Sequence, residues 1–163
     1  AVVVPLLFTE GYHQRVDVPA ALDRASASSG LTLHRARGLG TGEDMAHLLA
    51  ARVPAEASKV VVYSVGSSDE GATAAVAELA RRVGEIAGCD AEAAYATGPA
   101  ASDPHRSPSG QHEVVVPLFV SPGLLLDRLD GGLTTASQRQ VLPPLGTALA
   151  EIVAQRYSEV AHA

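Results

Sequence analysis

The stretch Val2-Val3-Val4-Pro5-Leu6-Leu7-Phe8-Thr9-Glu10-Gly11-Tyr12-His13 recurs as Val114-Val115-Val116-Pro117-Leu118-Phe119-Val120-Ser121-Pro122-Gly123-Leu124-Leu125. A second match follows each copy, Leu39-Gly40-Thr41 against Leu145-Gly146-Thr147. Two matches in one order, each followed by an apolar periodic segment, mark two copies of one structural unit. The apolar run 2–8 reads as a strand buried on both faces. His13 stands opposite Leu125 of the other copy, so chemistry is expected in one half and support from the other.

Working outward, Asp17-Val18-Pro19 predicts a helix start, with Asp17 as N-cap and Pro19 in the first turn, where its missing N–H costs nothing. That helix is expected over 19–28, stopping near Gly30. A short strand at 31–37, a turn at Gly38–Gly40 and a helix over 43–52, ending before Pro54, complete the first part. Strands are then expected at 59–65, 92–97, 113–120 and 140–144. Helices are expected from the Gly66-Ser67-Ser68-Asp69-Glu70 loop through about residue 87 and over 147–160. Residues 98–112 lack an apolar period and read as a loop, and 121–137 as loop or irregular helix. The alternation demands crossovers, and so a three-layer αβα fold with mostly parallel sheets in two tandem repeats. Residues 1–57 correspond only to the later part of the unit formed by 58–163. The chain opens without Met directly into a strand, so it is expected to continue a longer one.

Composition narrows the function. Hydrophobic residues make up 47% but aromatics only 4%, which suits Val-rich parallel strands under Ala-rich helices. A net charge of -6 argues against nucleic-acid backbones as partners. Arg81-Arg82 sits beside Glu78 and Glu85 and reads as a solvated helix face. The single cysteine, Cys89, excludes an intrachain disulfide or Cys-based zinc cluster and reads as an inert thiol. No apolar run reaches membrane-spanning length and no signal peptide is visible, so the expected location is the cytoplasm.

Ligand sites in open parallel sheets form beyond the carboxyl ends of strands. Glu10, Tyr12 and His13 follow the first strand there. A neutral imidazole suits Co, Ni, Fe and Zn divalent ions and can accept a proton; Glu10 can supply an oxygen ligand or proton acceptor. One His and one Glu do not complete a metal site, so a further ligand must come from elsewhere. The plainer reading of His13 is a loop histidine capping a backbone group. His34, His47, His105, His112 and His162 read as solvent-facing or structural. Gly66-Ser67-Ser68 before a helix could attract an anion, but without a G-x-G-x-x-G or a Walker lysine it reads as a tight turn. Ser67 lacks the neighbours of a hydrolase nucleophile.

Gly11-Tyr12-His13-Gln14-Arg15-Val16-Asp17-Val18-Pro19, preceded by the Val-rich strand, resembles the G-x-H-x-x-x-D-[IV]-P motif of class II tetrapyrrole chelatases of the sirohydrochlorin cobaltochelatase/ferrochelatase (CbiX/SirB) type. Val61-Val62-Tyr63-Ser64-Val65-Gly66-Ser67 is similar to the family's strand ending in H-G-S, with Val65 replacing the histidine. Residues 114–127 look like a degenerate second copy of the first motif. The resemblance implies insertion of Co2+ or Fe2+ into sirohydrochlorin, for cobalamin or siroheme synthesis, by two facing histidines that bind the ion and take up pyrrole protons. His13 matches the second of these; the first is expected upstream of residue 1, while Val65 and Leu125 leave the second repeat silent. The resemblance makes His13 the metal ligand and proton acceptor; by position Glu10 is the candidate second metal and catalytic residue, and Arg15 and Arg128 are candidate cations for the substrate carboxylates, with an ordinary solvated role as the alternative for each. It implies the divalent ion as substrate and no nucleotide or redox cofactor. The expected partner is a sirohydrochlorin-type tetrapyrrole, not nucleic acid or a membrane, with a homodimer as a compatible assembly. The rival reading is a non-catalytic tetrapyrrole- or metal-binding relative, a carrier or partner subunit.

Overall fold

Two parallel sheets form around Val-rich strands. The structure, a computed structural model, describes residues 1–102, 112–129 and 139–162. In the smaller sheet, β1 (Val2–Val3) pairs with β2 (His34–Arg35), Val2 opposite His34. In the larger, β3 (Lys59–Ser64), β4 (Asp90–Tyr95), β5 (Glu113–Pro117) and β6 (Arg139–Val141) lie in the order β4-β3-β5-β6, every pair parallel. The helices are α1 (Val18–Ser29), α2 (Glu43–Ala50), α3 (Glu70–Ala87), α4 (Leu124–Asp127) and α5 (Ala150–Ala161). The expected α/β class with parallel sheets is what forms.

Strand periodicity divides the core. Val60, Val62, Val114 and Val116 point to one side, where Met45 and Leu49 of α2, Leu79 and Val83 of α3 and Ile152 of α5 bury them. Val61, Tyr63 and Val115 point to the other, against Leu129 and Leu126, and the Tyr63 and Phe119 rings stack with centroids 5.8 Å apart. Gly30 (φ 69°) and Gly88 (φ 72°) close α1 and α3 in the left-handed conformation that glycine alone adopts freely.

Three expectations change. The run 2–8 forms a strand only at Val2–Val3, and its residues are mostly half-buried rather than enclosed on both faces. It has one neighbour, β2, and Pro5 lacks the N–H a longer ladder needs. The strand at 31–37 contracts to His34–Arg35, both exposed. Asp17 does not cap α1 with its side chain: its backbone is already helical (φ −71°, ψ −41°), because the chain enters α1 through a π-helical turn, His13–Asp17. The 98–112 and 121–137 expectations fall partly on residues 103–111 and 130–138, outside the described residues.

Candidate functional site

The π-helical turn decides what His13 can do. It places His13 and Asp17 on one face, and His13 Nδ1 lies 2.5 Å from Asp17 Oδ2. A carboxylate acceptor at Nδ1 fixes the proton there and leaves the Nε2 lone pair outward. The side chains are open to solvent, His13 at 80% and Asp17 at 52% exposure, so Nε2 is accessible. Tyr12 meets the imidazole edge-on at 6.3 Å and is itself exposed. Asp17 is the residue that the sequence reading assigned to a cap and that the structure gives to the histidine. The signal was the i, i+4 spacing inside the motif.

The turn is anchored from behind. Gln14 is buried, its backbone carbonyl accepting from Arg35 Nη1 at 3.0 Å. Its side-chain amide lies against Gly38, where a Cβ would come within 2.7 Å of the Leu7 carbonyl and 3.0 Å of Gln14 Nε2. Gly40 next to it has φ 79°, so both glycines of the Gly38-Leu39-Gly40 turn are required, one for space and one for conformation.

Arg15 bridges to the start of α3. Its Nη2 lies 2.5 Å from Asp69 Oδ2, and Asp69 Oδ1 accepts from the Ala72 N–H at the start of α3. The Ala72 amide and then the Arg15 guanidinium hold the Asp69 carboxyl below the usual carboxylate range, against the opposing effect of desolvation. A cavity of 230 Å³ opens at this junction, lined by Phe8, Thr9, Glu10, Arg15, Thr41 and Asp69 among others. Arg15 is thus already engaged by a carboxylate, through one nitrogen of its fork.

The remaining sequence candidates separate. Glu10 is exposed and lines the cavity, and no described hydrogen bond joins it to His13. Arg128 follows α4, exposed and close to Tyr63, where its charge opposes the upward pKa shift that burial gives the phenol. Among the described residues no group of three or more His, Cys, Asp or Glu is disposed to hold a metal ion. Gly66-Ser67-Ser68 is a tight turn: Gly66 has φ 92°, Ser67 Oγ accepts from the Asp69 N–H, and Asp69 itself occupies the α3 N-terminus. Val65 stands exposed at the end of β3. Cys89 is half-buried with its thiol pushed up by burial, and Arg81 pairs with Glu78 and Glu85 on an open helix face.

Residues 1–56 match the CbiX family model. No curated protein sequence matches the chain. SirB from Bacillus subtilis with Fe3+ superposes with a TM-score of 0.76 at 20% identity, over 97% of this chain and 70% of that one. The sirohydrochlorin chelatase SirB of Bacillus subtilis subspecies spizizenii in complex with cobalt gives 0.75 at 19% identity, covering 99% of this chain and 69% of that one. CbiX, the terminal enzyme for siroheme biosynthesis in denitrifying bacteria, gives 0.71 at 19% identity, over 94% and 74%. The family match covers residues 1–56, and the structural likenesses show that the chain shares the fold of the SirB and CbiX chelatases.

Proposed function

We propose that the protein inserts a divalent metal, Co2+ or Fe2+, into sirohydrochlorin, serving cobalamin or siroheme synthesis. The observation that carries this reading is the His13–Asp17 pair within the matched segment, which leaves Nε2 free as a donor. The two SirB structures hold Fe3+ and cobalt, which supports a transition-metal substrate.

The chemistry asks for a weakly held ion, a base near the pyrrole N–H groups and a docked ring. His13 Nε2 supplies the donor, or takes up a pyrrole proton, while Asp17 stabilises the imidazolium that forms. Glu10, in the same loop, is a second oxygen donor or proton acceptor. Arg15 and Arg128 are the cations for substrate carboxylates, and Arg15 meets them with the part of its fork that Asp69 leaves unused. Residues 1–57 act as the later part of an active repeat, and 58–163 as a degenerate repeat that supports it.

A second reading, a non-catalytic tetrapyrrole- or metal-binding subunit, is favoured by Val65 standing where the family motif has a histidine. One experiment separates the two. Sirohydrochlorin mixed with Co2+ or Fe2+ is followed by visible absorbance, with wild type against His13→Ala. Insertion that collapses in the variant supports the chelatase. Equal rates remove His13 from the mechanism, and ring binding with no insertion above background favours the carrier.

A further inference from the structure

Arg156 is the most buried charge in the described chain, at 0% exposure in the middle of α5. The proposed mechanism gives it no task. A buried guanidinium is tolerated only where its donors are met, and here they are met by one small turn. Nε donates to the Gly38 carbonyl at 3.1 Å, Nη2 to the Leu39 carbonyl at 2.8 Å, and Asp44 at the start of α2 supplies the carboxylate. One helical turn on, Glu159 takes Arg37 in a two-pronged pair, Nε and Nη2 each at 2.7 Å. The last helix of the chain therefore grips Arg37, Gly38 and Leu39.

That same turn is the seat of the His13 loop. Gly38 lies against the Gln14 amide and the Leu7 carbonyl, and Gly40 N–H reaches the Leu7 carbonyl at 3.4 Å. Gln14 is buried, and its Oε1 has no hydrogen-bond partner among the described residues. Its side chain is thus held by packing against Gly38 and not by a bond of its own. His13 precedes Gln14 in the π-helical turn, and a shift of Gln14 swings the imidazole directly.

We propose that Arg156 is a positioning residue for His13, acting through the Gly38 and Leu39 carbonyls and the seated Gln14. The inference adds to the metal-donor reading of His13 the part of the chain that aims it. Sequence alone hides it, because an arginine is ordinarily solvated, although the four-residue spacing from Ile152 puts Arg156 on the buried face of α5.

The test uses the full chain with Co2+ as probe. In Arg156→Met the Co2+ affinity is expected to fall about tenfold, as for outer partners of a metal ligand, and the His13 Cε1–H resonance to move in a carbon–proton NMR spectrum. Arg156→Lys, which keeps a charge but reaches fewer acceptors, should restore part of both. Gly38→Ala keeps the Arg156 side chain and sets a methyl group against the Leu7 carbonyl and the Gln14 amide, so it should move the same resonance, and it carries the test if Arg156→Met does not fold. Arg52→Met is the control, since Arg52 also ties a carbonyl, Pro143 O at 2.5 Å, far along the chain; it should lower stability without moving His13. Loss of stability in Arg156→Met and Gly38→Ala, with an unmoved His13 resonance, overturns the positioning role. Co2+ binding insensitive to His13→Ala would sink the metal reading instead, leaving the resonance alone to judge Arg156.

Discussion

Asp17 and His13 work as one group. Because Asp17 accepts at Nδ1 and makes no cap to α1, Asp17→Asn should leave the fold intact while weakening metal binding about 10–100-fold. Titration with Co2+ beside a thermal melt measures both, and an unchanged affinity would show that the pair orients nothing. Asp69 makes a pH-dependent contribution of known sign. Its carboxyl is held low by the Ala72 amide and Arg15, so its stabilisation is complete above the ordinary carboxylate pKa of about 4 and is lost as pH falls through the lower folded value. Asp69→Asn should therefore flatten the fall in urea midpoint below about pH 4; an identical slope in the variant would exclude Asp69 as a contributor. At this scale the motif singled out His13 as the candidate. The π-helical turn did not show in the residues, which is why Asp17 read as a cap.

Elements were legible where burial was strong. Val60, Val61 and Val62 are enclosed on both faces of the sheet, and β3 forms almost where its apolar run lies. The run 2–8 has equal hydrophobicity but a partner on one side only, so it yields two strand residues. Hydrophobic runs announce strands; the number of neighbours sets their length. Turn chemistry carries its own prediction. Gly66 has φ 92°, and a Cβ there would overlap the Thr97 carbonyl, whereas Gly88 has φ 72° with open space around it. Gly88→Ala should cost about 1–2 kcal/mol, the left-handed penalty alone. Gly66→Ala should cost about 1–3 kcal/mol more, since backbone must move to admit the methyl group. Urea unfolding of the two variants compares them, and equal losses would mean the loop after β3 yields without resistance.

Across the whole molecule, the duplication visible in the sequence and the packing divide the chain at different places. The repeated segments set the boundary near residue 57. Yet Leu39 and the α2 residues Met45 and Leu49 lie in one buried cluster with Val60, Leu79 and Ile152 of the later part. Ahead of them, α1 buries none of its residues, and β1 and β2 form a two-stranded sheet whose residues are half-buried or exposed. Two strands alone are marginal in water, and elements with few buried contacts open at low free energy. Hydrogen exchange should therefore show fast amides through α1 and β2 and slow ones in β3, β5 and α3, with the change between about residues 30 and 39 and not near 57. The Gly38-Leu39-Gly40 turn, gripped by Arg156, belongs to the protected side. His13 would then ride on a locally mobile segment seated on that turn and tied through Arg15 to Asp69, which under the proposed function suits a donor that must take an ion and release it. Uniform protection from α1 to α5 would refute the division and with it the mobility of the His13 segment.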